Sequence, residues 1–337
     1  MKIAVRATNW VGDAILSIPA LEAIRRSRPG AEITILARSW VAELYRGQPF
    51  VDRLLVLDGQ SDVVRKLRDD KFDCAIILPN SFASAWPIWR AGIPERIGYA
   101  RDARSVLLTK AIPPPRQGEI PAHEIFYYQE LLRRAGWADG AESPSEIRLK
   151  LDPSALESAA EALTRSGAPA EKKRIALAAG AAYGSAKCWP PERFAAVADA
   201  LAIDFGASVI LFGAPSELGI SQSIAAQMRH RPIDMTGETS IGQLAAFFAN
   251  CDCFLGNDSG AMHVAAAAGL PVVAIFGSTD PHGTAPVTSR RSLIREQPSC
   301  SPCFLRRCPV DHRCMTRIEA GGVISAVRGW LEKIPRV

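Results

Sequence analysis

A polar turn between two apolar runs is the part of this chain best suited to binding an anion. The run at residues 253–256 ends in the turn at residues 257–260, an Ala-rich stretch continues to residue 268, and a second apolar run occupies residues 272–276. This order predicts a strand, a turn, a helix and a parallel strand. The first N–H groups of a helix lack partners within the helix, and the helix dipole favours negative charge there. The pattern therefore predicts a diphosphate site at this turn.

Four residues of the turn and helix are candidates for that site, namely Asp258, Ser259, Gly260 and His263. Ser259 and Gly260 would offer backbone N–H groups, and Asp258 is placed to cap the helix. His263 follows about one helical turn later, so its imidazole is expected to face the same anion. The alternative is that Asp258 and Ser259 only cap the helix and that His263 is an ordinary surface histidine.

The loop at residues 180–190, GAAYGSAKCWP, follows another predicted strand and carries two candidate donor-site residues, Ser185 and Lys187. A lysine is a compact point charge that can neutralise a diphosphate leaving group. The alternative interpretation of Lys187 is a solvated loop lysine.

Two more strand ends are expected at the same edge of the sheet, where open α/β sheets bind their ligands. Glu217 lies near one of these strand ends, and the segment Met235, Thr236 and Gly237 lies at the other. These residues are predicted to contact a ribose and a base. We therefore expect all the candidate residues named so far to lie at one edge of the second predicted sheet.

Asp13 is the candidate for proton transfer. It follows the first predicted strand and stands beside Gly12, which allows a ligand to approach closely. A carboxylate in that place can accept the proton of an attacking hydroxyl. The alternative is that Asp13 only caps the helix that begins at Ala14.

Four cysteines crowd into the segment at residues 300–314, as Cys300, Cys303, Cys308 and Cys314, with His312 among them. The spacing is compatible with a tetrahedral zinc site or an iron–sulfur cluster. It lacks the paired CxxC arrangement of familiar zinc sites, so packing or disulfide formation on oxidation stays open. The arginines of this loop, Arg306, Arg307 and Arg313, could instead contact an anionic acceptor.

We expect two α/β domains to position these residues, because 337 residues are too many for one ordinary core. Apolar runs predict strands at residues 2–7, 32–37, 53–57, 73–78 and 96–99, and again at 174–179, 208–212, 233–235, 253–256 and 272–276. Helical patterns separate them, so each half is expected to be a doubly wound parallel sheet. We expect domains at residues 1–165 and 170–315, facing a central cleft, with a C-terminal helix at 316–337 packing back toward the first.

Charge and loop length point to an anionic partner of the first domain. Residues 1–120 carry 18 Lys and Arg against 13 Asp and Glu. The strand at 73–78 is followed by Asn80 and Ser81, and a long basic loop at 101–119 contains Arg101, Arg104 and Lys110. The basic residues are dispersed and not interleaved with aromatics, which disfavours nucleic acid. No apolar run of about 18 residues and no signal-peptide pattern occurs, so a cytoplasmic protein is expected.

Three motifs, taken together, resemble the bacterial ADP-heptose:lipopolysaccharide heptosyltransferases, most of all those of type II. They are RATNWVGDAILSIPAL at residues 6–21, AAYGSAKCWPPERFA at 181–195 and GNDSGAMHVAAAAGLPVVAIFGSTDP at 256–281. The resemblance spans nearly the whole chain. It implies a GT-B architecture of two Rossmann-like domains, with the acceptor on the first and the nucleotide sugar on the second.

The resemblance also implies an inverting transfer of L-glycero-D-manno-heptose from ADP-heptose to a heptose of the lipopolysaccharide inner core, with no cofactor required. In that scheme Asp13 is the base, and Ser185, Lys187 and the 258–260 turn with His263 hold the diphosphate. Glu217 and residues 235–237 hold the ribose and adenine. The lipid A-anchored acceptor would meet Asn80, Ser81, Arg101 and Arg104 at the cytoplasmic face of the inner membrane.

Other functions remain open at this level. A related glycosyltransferase, heptosyltransferase I included, could use the same diphosphate site with another acceptor or nucleotide sugar. A non-catalytic nucleotide- or metal-binding module would make the cysteine cluster the purpose of the chain. A dehydrogenase is disfavoured, because no GxGxxG follows the first strand.

Overall fold

The computed structural model describes residues 1–58, 60–140 and 143–334. The chain divides into two compact units, Met1–Lys150 and Leu151–Val337. Each unit is built on one parallel sheet.

The sheet of the first unit has six strands within the described ranges, ordered β3-β2-β1-β4-β5-β6. Every neighbouring pair is parallel, as shown by the registers Val5 to Ile35 and Val5 to Ile76 on the two sides of β1. Its strands are β1 (Lys2–Arg6), β2 (Glu32–Ala37), β3 (Arg53–Val56), β4 (Cys74–Ile77), β5 (Glu95–Tyr99) and β6 (Lys110–Ile112).

The sheet of the second unit has the order β12-β11-β10-β7-β8-β9 among the residues that the structure describes. When the strands of each unit are numbered from 1 and the second sheet is read from its β9 edge, both orders are 3-2-1-4-5-6, which is the order of dinucleotide-binding Rossmann folds. The strands are β7 (Arg174–Ala178), β8 (Ser208–Leu211), β9 (Ile233–Asp234), β10 (Cys253–Asn257), β11 (Val272–Phe276) and β12 (Arg291–Arg295). The predicted fold class of two Rossmann-like sheets is confirmed.

Helices connect the strands and cover the sheets. In the first unit they are α1 (Val11–Leu16), α2 (Ile18–Ser27), α3 (Ser39–Ala42), α4 (Gln60–Asp69), α5 (Phe82–Arg90) and α6 (Glu124–Arg134). In the second unit they are α7 (Pro153–Arg165), α8 (Pro191–Phe205), α9 (Leu218–Gln227), α10 (Ile241–Ala249), α11 (Gly260–Ala267), α12 (Pro281–Thr284), α13 (Arg313–Thr316) and α14 (Ala320–Leu331).

The central strands are buried over their whole length, which explains why they read as continuous apolar runs. In β10 and β11 every residue is buried, as expected of parallel strands that are covered on both faces. The helices contribute amphipathic faces to the same cores. In the second unit Leu163 of α7 is fully buried, and Ile224 of α9 lies in one cluster with Leu177 of β7.

Two boundaries differ from those expected. The division falls after Lys150, and α7 lies in the second unit because it packs against α10. The C-terminal helix α14 was expected to pack toward the first domain. Its buried side chains instead join the core of the second unit, where α14 packs on α8. The last three residues of the expected segment 316–337 lie outside the described residues.

Some elements escaped the sequence patterns. The strands β6 and β12 give no apolar run, since β6 has only three residues, two of them exposed, and β12 is a partly exposed strand bounded by arginines. The helix α5 follows residues 79–81, which were expected to form a loop only. Part of the loop expected at residues 101–119 forms the 3-10 turn Arg104–Leu107 and β6.

Among the described residues, none of the helices is both long enough and apolar enough to cross a membrane.

Replacing Leu331 by Ala tests the position of α14. Leu331 is 1% exposed within the core of the second unit, so we expect a loss of roughly 2–5 kcal/mol in the free energy of unfolding. Val310→Ala, at a side chain that is 68% exposed, should change stability by less than about 0.5 kcal/mol. Urea denaturation of both variants is the measurement. Equal effects would contradict the packing of α14 described here.

Candidate functional site

The strand order reverses at one place in each sheet, between β1 and β4 and between β7 and β10. In such a sheet the loops that leave these two strands turn to opposite sides and open a crevice at the carboxyl ends, where ligands bind. Asp13 follows β1, and Asn80 and Ser81 follow β4. Lys187 follows β7, and Asp258 follows β10. Each unit therefore carries its candidate residues at its own reversal point.

In the first unit the reversal point forms a cavity of about 240 Å³ that contains three of the predicted residues, Asp13, Asn80 and Ser81. The cavity is largely polar, with aromatic rings on its wall. It is lined by Thr8, Asn9, Trp10, Asp13, Leu78, Pro79, Asn80, Ser81, Glu124, Tyr127 and Tyr128.

Asp13 lies in the first turn of α1, and the N-cap position of that helix belongs to Trp10. The alternative that Asp13 caps a helix at Ala14 is therefore wrong. Asn80 forms hydrogen bonds with the Tyr127 hydroxyl, with 3.0 Å between Nδ2 and Oη. These two side chains hold one wall of the cavity, and the Asp13 carboxylate shares the space with them.

Glu124 is a cavity residue that the sequence patterns did not single out. It begins α6, a helix that packs against α1 and α2. Burial and the nearby Asp13 charge raise the pKa of Glu124 to about 7, while Arg101 and a hydrogen bond from Tyr128 act in the opposite direction. Two carboxyl groups thus line one cavity, and the pKa of Glu124 is raised. Nothing local links Glu124 to a residue 111 positions earlier, so only the packing of α6 reveals this pair.

Two of the basic residues expected to meet the acceptor are engaged within the protein. Arg104 is fully buried and donates to the carbonyl oxygens of Tyr99, at 2.8 Å, and Pro79. Burial lowers the pKa of its guanidinium to about 10. Lys110 donates to the Ala135 carbonyl at 2.6 Å. The prediction that Arg104 binds the acceptor is not supported by this geometry, whereas Arg101 is exposed and close enough to Glu124 to lower its pKa.

Replacing Glu124 by Gln should make the protein relatively more stable as pH rises. Between its ordinary pKa of 4.5 and about 7, the native carboxyl holds a proton that the unfolded chain has released, so wild-type stability falls across this window. Gln does not titrate. The gain of Glu124→Gln over wild type should therefore grow from near zero at pH 4 to roughly 3 kcal/mol at pH 8.

Urea denaturation at a series of pH values measures this difference. Glu146→Gln removes the same charge at an exposed site and is the control. A pH-independent difference between Glu124→Gln and wild type would show that Glu124 is not held in the protonated form.

In the second unit Lys187 and Asp258 form a buried ion pair across the reversal point. Lys187 Nζ lies 2.6 Å from Asp258 Oδ2, and the two side chains are 12% and 4% exposed. Thr279 Oγ1 donates to the same carboxylate oxygen at 2.6 Å. An ammonium group has three N–H donors, so this pair orients Lys187 and leaves donors for a ligand.

The expected role of Asp258 as a helix cap is wrong. The N-cap position of α11 belongs to Ser259, and Asp258 instead accepts from Lys187 and Thr279. Gly260 begins α11 as expected. His263 is 4% exposed within α11, which excludes the interpretation as a surface histidine.

Asn257, the last residue of β10, ties the loop after β7 to this site. Its side chain is fully buried. Nδ2 donates to the Ala179 carbonyl at 2.6 Å, and Oδ1 accepts from the Trp189 backbone N–H at 3.1 Å. These two bonds clamp both ends of the loop that carries Lys187.

Glu217 lies at the carboxyl ends of β7 and β8, as expected. Its Oε2 accepts from the Ala214 N–H at 2.8 Å. A Cβ atom added at Gly180 would lie 1.9 Å from Glu217 Oε1, so a side chain at residue 180 would push the Glu217 carboxylate out of this position.

The backbone N–H groups of residues 235–237 all form hydrogen bonds within the protein, which the sequence did not lead us to expect. The backbone N–H groups of Met235 and Gly237 donate to carbonyl oxygens of Leu211 and Gly213, and that of Thr236 donates to Asp234. Met235 is 6% exposed. These three N–H groups are already used, so contacts of this segment with a ligand must come from its other atoms.

The cysteine-rich loop at residues 300–314 packs directly on the loop that carries Ser185 and Lys187. The Arg306 carbonyl accepts from the Ala186 N–H at 3.1 Å, and the Phe304 carbonyl accepts from the Tyr183 hydroxyl at 2.6 Å. Two cations lie near the Tyr183 ring, with Lys187 Nζ at 4.9 Å and Arg306 Cζ at 5.4 Å from its centroid.

Arg306 thus belongs to the region of the predicted diphosphate site, whereas the sequence left it as a contact for an anionic acceptor. Ser185 is exposed beside it. No local pattern could place Arg306 here, because the contact joins segments about 120 residues apart in sequence.

The four cysteines of this loop are free thiols. Burial raises the pKa of the Cys314 thiol, and the nearby Cys303, Cys308 and Cys300 raise it further. Within the described part of the chain, however, no group of three or more His, Cys, Asp or Glu side chains is placed to hold a metal ion. The expected zinc or iron–sulfur site does not fit this arrangement.

Gly184→Ala should displace the cysteine-rich loop. Gly184 has a φ of +153°, and an added Cβ would lie 2.3 Å from the Arg306 carbonyl oxygen. A backbone atom cannot move aside cheaply, so we expect roughly 1–3 kcal/mol of lost stability and at least about tenfold weaker binding of ADP, the ligand that the sequence motifs lead us to expect at this site. Gly219→Ala in α9, where an added Cβ meets nothing within 4 Å, is the control and should bind ADP normally. Calorimetric titration with ADP is the measurement, and unchanged binding in both would exclude the coupling.

Comparisons with known proteins agree with this fold. A model of glycosyltransferase family 9 (heptosyltransferase) matches residues 61–313. The chain is 29% identical over 319 residues to lipopolysaccharide heptosyltransferase 2 of Escherichia coli and 28% identical over 316 residues to lipooligosaccharide heptosyltransferase 2 of Haemophilus influenzae, each covering 88% of both chains. The solved structure of Escherichia coli ADP-heptose lps heptosyltransferase II matches with a TM-score of 0.84 at 26% identity, covering 99% of both chains.

Two Rossmann-like units with candidate sites at their reversal points, matched along their length by a solved heptosyltransferase, define a glycosyltransferase of the GT-B fold. The chain belongs to glycosyltransferase family 9, the heptosyltransferase family. The resemblance drawn from the three sequence motifs is confirmed. So is the assignment to an enzyme that transfers a glycosyl group.

Proposed function

We propose that this protein transfers L-glycero-D-manno-heptose from ADP-heptose to a heptose of the lipopolysaccharide inner core, with inversion at the anomeric carbon. Membership of family 9 and the named relatives support the donor and the acceptor. The observation that carries the mechanism is the position of Asp13, a carboxylate in a polar cavity at the reversal point of the first sheet.

The second unit would bind the donor. The Lys187 ammonium, oriented by Asp258, would neutralise the diphosphate together with the N-terminus of α11 at Ser259 and Gly260. His263 and Ser185 would complete this anion site. Glu217 and the segment at 235–237 would contact the ribose and adenine, the segment through atoms other than its committed N–H groups.

The first unit would bind the acceptor and activate it. The oxygen of an acceptor hydroxyl forms a bond to the anomeric carbon of the heptose, and the bond from that carbon to the ADP oxygen breaks. Asp13 takes the hydroxyl proton, and ADP leaves with the electron pair. One base and one displacement invert the configuration, so the reaction needs neither a covalent intermediate nor, in this proposal, a metal ion.

Asn80 and Ser81 in the cavity and Arg101 at its edge are the residues proposed to contact the acceptor sugar and its anionic groups. An acceptor carried on lipid A would be reached at the cytoplasmic face of the inner membrane. Arg104 is omitted from this set, because its guanidinium is fully buried.

Asp13→Asn should abolish transfer without affecting donor binding. Loss of a general base costs about 10²–10⁴-fold in kcat, whereas the proposed ADP site lies in the other unit, so the Kd for ADP should stay within about twofold. Release of ADP from ADP-heptose in the presence of acceptor measures kcat, and titration calorimetry measures Kd. Asp69→Asn, at an exposed carboxylate of α4, should retain full activity. Full turnover by Asp13→Asn would remove Asp13 as the base.

The identity of the substrates is tested separately, by mass spectrometry of products from core acceptors that bear zero or one heptose. A gain of one heptose only on the acceptor that already bears one supports the type II reaction. Transfer to the acceptor without heptose would instead assign the type I reaction. Consumption of UDP-glucose with no use of ADP-heptose would reject the proposed donor.

A further inference from the structure

The helix α5 has apolar side chains on two neighbouring faces, and only one of them is buried in the fold. Ala85 and Ile88 are buried against the core of the first unit. Phe82, Trp86 and Trp89 follow one another at helical spacing on the other face, 40%, 42% and 39% exposed. A surface helix normally places polar residues on its outer face, so this second apolar face is unusual.

The exposed rings form one continuous surface. The ring centroids of Phe82 and Trp86 are 5.8 Å apart, and those of Trp86 and Trp89 are 5.1 Å apart. We call Phe82, Trp86 and Trp89 the aromatic patch.

Positive charge borders the aromatic patch. The Arg90 guanidinium lies 5.9 Å from the centroid of the Trp86 ring. Arg68 of the neighbouring helix α4 donates to the Arg90 carbonyl at 3.0 Å, which brings a second exposed guanidinium to the same edge. Tryptophan rings flanked by basic side chains are the composition that binds at the interface of an anionic bilayer.

The position of α5 connects this surface to the cavity of the first unit. The helix begins directly after Asn80 and Ser81, which line the cavity beside Asp13. Nine helical residues extend for about 13 Å, so the aromatic patch lies within one short helix of the cavity mouth. An acceptor held in a membrane by its lipid anchor has to be met at the bilayer surface.

We propose that the aromatic patch docks the first unit on an anionic phospholipid surface and thereby presents its cavity to lipid-anchored acceptor. The docking itself rests only on α5 and its surroundings. The statement about the acceptor rests on the proposed function.

Vesicle binding tests the docking without any substrate. The full-length protein is sedimented with vesicles of phosphatidylglycerol and phosphatidylethanolamine, and with vesicles of phosphatidylcholine. Wild type should bind the anionic vesicles more tightly, and the double variant Trp86→Ser, Trp89→Ser should bind them at least about tenfold more weakly, since two large apolar side chains no longer enter the interface. Trp40→Ser, at a tryptophan of the same unit that is 55% exposed, should bind like wild type.

Fluorescence locates the contact. Vesicles with brominated acyl chains should quench wild-type tryptophan emission. The double variant Trp86→Phe, Trp89→Phe keeps the apolar rings, so it should still bind vesicles but lose the quenching. Quenching that persists in this variant would place the membrane contact elsewhere and overturn the proposal.

The occupant and the consequence for turnover are tested last. If wild type ignores both kinds of vesicle and sediments as a dimer that the Ser variant dissociates, the aromatic patch is an interface between two copies and the proposal fails. With acceptor embedded in vesicles, the Ser variant should lose at least about tenfold in kcat/KM, while it should match wild type on a water-soluble acceptor without acyl chains. Vesicle binding without heptose transfer by any variant would reject the proposed function and leave the docking in place.

Discussion

The reversal of strand order in each parallel sheet is the constraint on which the rest of this structure depends. Because β1 and β4, and likewise β7 and β10, send their following loops to opposite sides, the polar turns after these four strands have no sheet to pack on. Most residues of the interior strands are buried. Asp13, Lys187 and Asp258 therefore lie on loops or in short helical turns at the carboxyl edge, while the cores supply rigid support.

The ion pair between Lys187 and Asp258 shows what this placement costs. Both side chains are largely removed from water, and an ion pair in such a position contributes little net stability because desolvation offsets the attraction. Removing one partner is different, since it leaves an unpaired buried charge at a cost of about 3–5 kcal/mol. Thr279 and the clamp formed by Asn257 keep the pair in one geometry. The arrangement fixes the direction of an ammonium group in the absence of ligand, which reduces the reorganisation that binding a diphosphate would need.

Much of this fold could be predicted from the sequence, because buried parallel strands read as uninterrupted apolar runs. The edge strands β6 and β12 gave no such signal, as β12 shows with its partly exposed, arginine-bounded sequence, whereas the edge strands β3 and β9 were predicted. The helix α5 was missed because Pro79 precedes it and Pro87 interrupts it, and both suggest a loop. The place of α14 depended on which core its apolar face enters, and an amphipathic pattern does not contain that information.

A site residue could be predicted where its chemical type and its position just after a predicted strand were enough to identify it. Asp13, Lys187 and Asp258 each follow a predicted strand, and the structure brings the last two into contact. Glu124 and Arg306 have no such signal. Their positions arise from the packing of a helix on the first unit and of a loop on the second, over separations of more than 100 residues. Arg104 shows the opposite error. It was expected to bind the acceptor because it is a basic residue in a long loop, but its buried guanidinium donates to backbone carbonyl oxygens within the protein.

The docking of the cysteine-rich loop uses mainly backbone atoms, and this has a consequence for how the enzyme can diverge. The carbonyl oxygens of Phe304, Arg306 and Ser278 make contacts that hold this loop against its neighbours. Main-chain contacts survive substitution, so different side chains can occupy residues 305–307 while the loop keeps its shape. Mutation there can change the charge and size of the surface beside the loop that carries Lys187 without breaking these contacts. Under the proposed function that surface borders the donor site, so it is a place where relatives can acquire new donor preferences at little cost to folding.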